Sequence, residues 1–172
     1  TEHLPDRVGI PGFFRSRRYT ALVGAPRWLA SYELDSTAVL ESADYLRLSG
    51  PNDTPWTKWI TSLVQVYRRV YELAWGEPAP LDPKADPGGL GLLAVRYQAA
   101  EGNETEVDGW HDAELAPRLL QLPGVLSARR YRCTHPAPEQ LALYELSDPW
   151  VTQSREFGRQ WTDGWETARR RL

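Results

Sequence analysis

The leading candidates for proton transfer among the side chains of this sequence are one histidine and two tyrosines. His111 is the leading catalytic candidate, because an imidazole ordinarily titrates near neutral pH and can serve as both acid and base. Tyr19 and Tyr131 are the other two, since each hydroxyl could donate a hydrogen bond to a reacting oxygen. Asp112 follows His111 directly, but adjacent helical residues do not face each other, so we do not expect the two to act together. A solvent-exposed histidine at a helix start is the alternative interpretation.

Charged residues accompany the tyrosines in predicted strands. Side chains alternate across a strand, so Arg129 shares a side with Tyr131, and Arg17 shares one with Tyr19. Arginines there could orient an anionic or phenolic ligand. Ion pairing with glutamate is the structural alternative, because an unpaired buried charge is costly. The ligand-binding residues predicted on these faces are Arg17, Glu33, Arg96, Arg129 and Glu145.

Eight tryptophans are an unusual number for a chain of 172 residues. Trp110 precedes His111 directly and is a further candidate for ligand binding. Four other tryptophans could line an aromatic pocket or simply fill the core. They are Trp56, Trp59, Trp161 and Trp165.

The composition predicts neither a metal nor a cofactor. The three histidines show no metal-ligand spacing, and the single Cys133 fits a reducing compartment, so we predict a cytoplasmic protein. Haem binding is a weaker hypothesis that needs an axial ligand from His3 or His111. A net charge of −3 and the lack of a membrane-length apolar run predict no nucleic-acid or membrane partner.

Hydrophobic periodicity predicts the elements that would position these residues. Strand alternation predicts which strand side chains meet the helices, namely Leu93, Val95 and Tyr97 in one strand and Ala142, Tyr144 and Leu146 in another. A segment rich in proline and glycine, 76–90, predicts a linker, and Pro117 predicts a kink or break in its helix. Glu114 is a possible partner of Arg129 or Arg130. The predicted strands are 13–22, 28–34, 63–75, 91–98, 125–133 and 140–146, and the predicted helices are 37–48, 56–61, 107–122 and 151–172.

An internal repeat sets the predicted architecture. Residues 11–19 read PGFFRSRRY and residues 123–131 read PGVLSARRY, and LASYEL at 29–34 matches LALYEL at 141–146 with the same offset of 112. Together the copies give a β-α-β-β-α-β unit, so we predict an α+β protein of two tandem ferredoxin-like repeats. The first repeat (1–75) would lack its first strand and most of its first helix, and the second spans 91–172. The absence of methionine also favours residues missing upstream.

The repeat resembles the dimeric α+β barrel superfamily, especially its EthD-like and antibiotic-biosynthesis-monooxygenase-like members. The resemblance lies in WHDAELAP at 110–117, in LPGV, RRY and LALYEL after it, and in TEHLP at 1–5. It implies a barrel formed as a pseudo-dimer within one chain, with further homodimerisation possible. It also implies a small-molecule ligand and a cofactor-independent monooxygenase, cyclase or isomerase acting on an aromatic or polyketide-like compound. A closed apolar cavity of at least roughly 300 Å³ would then be expected. A non-catalytic binding or assembly module is the alternative.

Overall fold

The computed structural model describes residues 9–80, 88–136 and 139–171. The described chain contains two antiparallel sheets, of two and four strands, together with four α-helices, which confirms the mixed α+β class. It divides into two compact units. The first holds the described residues up to Arg68 with Ala79 and Pro80, and the second holds residues 69–78 and those from Gly88 onward. No helix in the described segments is both long and apolar enough to cross a bilayer.

The first unit is built on the hairpin of β1 (Phe13–Thr20) and β2 (Trp28–Leu34). Two helices follow, α1 (Ala43–Leu46) and α2 (Pro55–Leu63). Its small core holds Ile10, Phe13 and Tyr45, and the Phe13 ring stacks on the Tyr45 ring with 5.9 Å between centroids.

The single helix predicted over 37–48 is wrong. A 3-10 turn at Thr37–Glu41 ends before Ser42, and α1 begins after it. The Ser42 hydroxyl accepts a hydrogen bond from the Tyr45 backbone N–H at 3.2 Å. Ser42 is therefore an N-cap, and its extended backbone interrupts what the hydrophobic spacing alone predicts to be continuous.

The second unit packs two helices on a four-stranded antiparallel sheet. The strands are β3 (Val70–Trp75), β4 (Gly91–Tyr97), β5 (Val125–His135) and β6 (Gln140–Leu146), and the helices are α3 (Glu104–Trp110, His111–Leu115, Ala116–Leu120) and α4 (Arg155–Arg171). The strand order is β3-β5-β6-β4, and all neighbours are antiparallel. The helix α3 consists of three consecutive segments, the middle one π-helical.

The sequence predicts a kink at Pro117, and the π-helical segment His111–Leu115 lies just before this proline. Proline has no N–H to donate, and its ring clashes with the carbonyl four residues earlier in a regular α-helix. The wider turn avoids this conflict, and the Ala116 N–H donates to the carbonyl of His111, five residues back. The proline thus leads to a wide turn that begins at His111.

One face of the second sheet forms the core with α3 and α4. Strand alternation correctly predicts this face, because the side chains that meet the helices come from every second residue of β4 and β6. Trp161 and Trp165 pack against this core, whereas Trp59 in the first unit is 57% exposed. The predicted residues of this face are Leu93, Val95 and Tyr97 in β4, with Ala142, Tyr144 and Leu146 in β6.

The strand predicted over 63–75 is shorter than expected. Leu63 ends α2, and the strand β3 begins only at Val70. β3 pairs with β5 from Val70 opposite His135 to Trp75 opposite Arg130. It therefore lies in the sheet of the second unit, although the sequence repeat counts it as the last strand of residues 1–75.

Candidate functional site

His111 is buried, with 2% of its surface exposed, and it is hydrogen-bonded through both ring nitrogens. Its Nε2 lies 2.8 Å from the Tyr144 hydroxyl, and its Nδ1 lies 2.9 Å from Oδ1 of Asp112. The interpretation as an exposed histidine is therefore wrong, and so is the expectation that His111 and Asp112 do not act together. The wide π-helical turn begins at His111, so the spacing rule for a regular α-helix does not apply there.

Arg130 on β5 also binds the Asp112 carboxylate that His111 contacts. Its Nε donates to Oδ1 at 2.9 Å and its Nη2 donates to Oδ2 at 2.6 Å, a two-point contact that fixes the plane of the carboxylate. The remaining amino group, Nη1, contacts Asp108 at 2.9 Å and Gln140 at 3.1 Å. The guanidinium is buried, and these four contacts fix its position.

The protonation states of Asp112 and His111 follow from their burial and from these contacts. Burial would raise the pKa of Asp112, but hydrogen bonds from Arg130 and His111 outweigh it and lower that pKa overall. Burial is the largest influence on the pKa of His111 and lowers it, despite the neighbouring carboxylate. At neutral pH an ionised Asp112 can only accept, so Nδ1 of a neutral His111 carries the proton.

Tyr144 is consequently the donor to His111. With Nδ1 protonated, Nε2 of the neutral imidazole is an acceptor, and the Tyr144 O–H donates to it. Tyr144 is completely buried, and burial raises the pKa of its hydroxyl. The result is an ordered chain in which Tyr144 donates to His111 and His111 donates to Asp112, a geometry suited to moving a proton toward the imidazole.

Two further oxygens at this site are buried without a hydrogen-bond partner among the described residues. They are Oη of Tyr97, on β4, and Oδ1 of Asp108, on α3. Burial raises the pKa of Tyr97; the charge of Arg130 lowers it, and that of Asp108 raises it. Buried polar atoms normally have partners, so these oxygens are the groups here still able to bind a polar ligand.

Aromatic rings surround the chain of hydrogen bonds. Trp75 from β3 packs edge-on against the His111 ring at 5.8 Å, and Trp161 from α4 packs edge-on against Tyr144 at 6.1 Å. These rings exclude water from the imidazole, which is the physical reason that the charged form of His111 is disfavoured.

Tyr131 and Arg129 lie on the opposite face of the sheet from His111, because neighbouring residues of β5 alternate and Arg130 faces α3. The Arg129 guanidinium donates to Glu145 at 2.8 Å and to the carbonyl of Glu77 at 3.1 Å. Arg129 and Glu145 are each 4% exposed. The structure therefore brings these two predicted ligand-binding residues together as an ion pair and separates Tyr131 from His111.

The other predicted residues lie elsewhere. Arg96 is exposed on β4. In the first unit, Tyr19 and Arg17 are half-buried on β1, and Glu33 is half-buried on β2. Glu114 contacts Arg118 one helical turn away, at 3.2 Å. The linker 76–90 falls partly outside the described residues, and His3 does so entirely.

Trp110 belongs to the core and also lines a groove. Its ring packs against Trp165 with 4.9 Å between centroids. The groove has a volume of about 260 Å³ and opens to solvent between α3 and α4, so it is not the closed cavity that the superfamily resemblance predicts. Its lining residues are Thr105, Glu106, Val107, Gly109, Trp110, Glu114 and Ala168.

No group of three or more metal-ligating side chains occurs in the described segments. Both ring nitrogens of His111 are engaged, so His111 offers no free nitrogen to a haem iron in this arrangement.

Sequence reasoning missed Asp112, Asp108, Arg130 and Tyr144. The sequence did hold one indication of the site. Residues 108, 111 and 112 have the i, i+3, i+4 spacing of one helix face, and strand alternation already predicts that Tyr144 faces that helix. The tertiary pairing of Arg130 with both aspartates carried no such signal.

Comparison with protein-family models finds no match, and comparison with curated proteins and with solved structures finds no significant one. What this chain does must therefore be argued from its own residues.

Proposed function

We propose that this protein binds a small molecule, has the α+β barrel fold and is a cofactor-independent enzyme. Its reactive group is the hydrogen-bonded series Tyr144–His111–Asp112. The observation that carries the proposal is that a buried, neutral His111 is hydrogen-bonded at both nitrogens, with the lone pair of Nε2 accepting the hydrogen bond of the Tyr144 hydroxyl. Positioning and desolvation of this kind are typical of general-base sites.

Local geometry supports the fold that the proposal assumes, two tandem ferredoxin-like repeats. Gly12 and Gly124 stand 112 positions apart and have φ values of +89° and +87°. A Cβ on Gly12 would lie 2.5 Å from a methyl of Val39, and one on Gly124 would lie 2.6 Å from a methyl of Val151, again 112 positions on. The register shift at the start of β1 recurs at the corresponding place in β5.

The proposed step is removal of a proton from a ligand hydroxyl. The ligand proton passes to Oη of Tyr144 while the Tyr144 proton passes to Nε2 of His111. The products are a ligand oxyanion and an imidazolium, whose Nδ1–H remains donated to Asp112. Arg130 acts as a positioning residue, since it contacts the carboxylate and not the ligand.

The ligand class follows from what surrounds Tyr144. The walls are tryptophan rings, and Tyr97 supplies a buried hydroxyl with no partner among the described residues, so a hydroxylated aromatic or polyketide-like compound fits best. Trp161 is half-buried and covers Tyr144 edge-on, so it is the side chain that must move to admit the ligand.

A coloured phenol provides a direct test. 4-Nitrophenol absorbs visible light only as its phenolate, so binding with proton transfer lowers its apparent pKa in the presence of wild-type protein. We expect this shift to disappear in His111→Gln and Tyr144→Phe, and binding to strengthen in Trp161→Ala, where the ring is removed. Wild-type protein that leaves the phenol's pKa and its own thermal unfolding unchanged, across a panel of hydroxylated aromatics, would contradict the proposal.

A non-catalytic binding or assembly module is the second candidate, and one observation favours it. Arg130 is bonded to Asp112, Asp108 and Gln140, and Arg129 is bonded to Glu145, so the arginines stabilise the sheet and leave little capacity for an anionic ligand. This candidate predicts no ligand-induced stabilisation. A reducing setting such as the cytoplasm suits both candidates, because Cys133 is a buried free thiol.

A further inference from the structure

The Asp108 carboxylate uses only one of its two oxygens in contacts with the described residues. Its Oδ2 contacts Nη1 of Arg130 at 2.9 Å and accepts from Nη2 of Arg132 at 3.4 Å. Its Oδ1 is buried and has no hydrogen-bond partner in the described part of the chain. A carboxylate that is bound to two guanidinium groups can only accept, so a partner for Oδ1 must be a hydrogen-bond donor.

The Tyr97 hydroxyl is near this carboxylate and is likewise buried without a partner among the described residues. After burial, the charges of Arg130 and Asp108 are the largest influences on its pKa, so both groups lie within electrostatic range of it. Both oxygens are enclosed by the protein, so only a group that enters the interior can reach them. Buried polar atoms normally have partners, which indicates that this pair binds a polar group.

The charges around these two oxygens favour a neutral group. The carboxylates of Asp108 and Asp112 disfavour an anion, and the guanidinium of Arg130, which contacts both, disfavours a cation. A hydroxyl satisfies both oxygens, because it can donate to Oδ1 of Asp108 while it accepts from the Tyr97 hydroxyl. An ether can only accept, so it would leave Oδ1 without a donor.

The Tyr97 ring lies under the same row of tryptophans as Tyr144. Trp165 on α4 packs edge-on against Tyr97 with 6.4 Å between ring centroids. Trp161, one helical turn earlier, packs edge-on against Tyr144 at 6.1 Å. The two tryptophan rings are 5.9 Å apart, a separation comparable with that of two meta hydroxyls on one aromatic ring. A flat ligand under this row can therefore place one hydroxyl at Tyr144 and a second at Tyr97.

We propose that Tyr97 and Asp108 form a second polar subsite of the ligand site, which takes the second hydroxyl of a dihydroxylated aromatic compound. This hydroxyl donates to Oδ1 of Asp108 and accepts from Tyr97, while the first hydroxyl of the ligand lies at Tyr144. The inference rests on the proposed function, because the ligand must enter the same interior. It narrows the ligand class to compounds whose second oxygen carries a hydrogen, and it disfavours their methyl ethers.

Resorcinol and 3-methoxyphenol test this subsite, because they differ only in a methyl group on the second oxygen. Isothermal titration calorimetry should give a dissociation constant for resorcinol that is lower at least about tenfold, since the ether leaves Oδ1 of Asp108 unpaired. Tyr97→Phe should weaken the binding of resorcinol and leave that of phenol unchanged. Tyr71→Phe is the matched control, because the Tyr71 hydroxyl donates to Glu139 and not to this subsite.

Asp108→Asn should reverse the preference between the two ligands. The guanidinium groups of Arg130 and Arg132 only donate, so the amide oxygen should turn toward them and the amide nitrogen should replace Oδ1. The subsite then donates where it previously accepted. The variant should therefore bind 3-methoxyphenol more tightly than resorcinol, a result that a merely weakened fold would not produce.

The outcomes separate this subsite from the proposed function. Equal affinity of the wild-type protein for resorcinol and 3-methoxyphenol overturns the subsite, and so does a preference for resorcinol that persists in both Tyr97→Phe and Asp108→Asn. The proposed function survives either result if the wild-type protein still lowers the pKa of 4-nitrophenol. A wild-type protein that binds neither 4-nitrophenol nor any of the other phenols overturns both proposals.

Discussion

Tyr144 donates its hydroxyl hydrogen to Nε2 of His111 across 2.8 Å, and neither side chain is more than 2% exposed. This contact joins the central strand β6 to the π-helical turn of α3. Because the acceptor is buried, the hydrogen bond is expensive to lose, and several of the predictions below depend on it.

Tyr144→Phe should lower the free energy of unfolding by about 1–3 kcal/mol, because it leaves Nε2 of His111 buried without a donor. Tyr97→Phe is the matched control, since it deletes a buried hydroxyl that has no partner among the described residues and should change stability by no more than about 0.5 kcal/mol. Urea unfolding of both variants measures the difference. Equal losses would show that the Tyr144 hydrogen bond adds no stability.

Stability should fall as the pH drops below that at which an unfolded histidine titrates. Burial lowers the native pKa of His111 from its ordinary value of 6.5, so below pH 6.5 the unfolded state binds a proton that the native state does not. Each such proton reduces the free energy of unfolding by at most about 1.4 kcal/mol per pH unit. Asp112, whose native pKa is also lowered, adds a further loss below pH 3.8.

His111→Gln provides the comparison for this pH dependence. Denaturant unfolding at a series of pH values between 7 and 5 should give a shallower slope for the variant than for wild type. A variant with an unchanged slope would assign the pH dependence to other groups.

The ion pair of Arg129 and Glu145 should behave as a buried pair. Arg129→Met alone removes the arginine that pairs with the buried Glu145 carboxylate and should lower the free energy of unfolding by about 3–5 kcal/mol. Arg129→Met combined with Glu145→Leu should lower it much less. A double-mutant cycle by urea unfolding should therefore give a coupling energy of at least about 1 kcal/mol. Additive effects would contradict the pairing.

Gly124→Ala should destabilise the second unit by more than about 1 kcal/mol. Gly124 has a φ of +87°, which costs other residues about 1–2 kcal/mol, and a Cβ there would lie 2.6 Å from Val151. Gly158→Ala is the control, because this exposed glycine in α4 has open space around it and alanine should stabilise the helix by about 0.5–1 kcal/mol. Thermal unfolding distinguishes the two signs, and a neutral Gly124→Ala would show that the turn can relax.

Local pattern was sufficient to predict much of the fold. The strands at 28–34 and 140–146 agree with β2 and β6 to the residue, because alternation and flanking turns are properties of the chain itself. Strand alternation also correctly predicted that Tyr144 faces the helices. The division of the helix at Ser42 was missed, since hydrophobic spacing does not show which serine will cap.

The candidate site was only partly predictable, because it depends on tertiary contacts. His111 was identified from its chemistry, but its partner Asp112 was dismissed on the geometry of a regular α-helix. The π-helical turn and the hydrogen bonds from Arg130, 18 residues further along the chain, bring Asp112 to Nδ1 of His111. Arg17 and Arg129 were predicted as ligand contacts, with pairing to glutamate as the alternative, and Arg129 is bonded to Glu145.

The tautomer of His111 is the property on which the proposed proton transfer depends most directly. Nitrogen-15 NMR of the imidazole rings, with His111→Gln for assignment, should show at pH 7 a neutral ring protonated at Nδ1 and unprotonated at Nε2, with titration below pH 6.5. A ring protonated at Nε2, or one already charged at pH 7, would leave no lone pair for Tyr144 and would contradict the proposed mechanism.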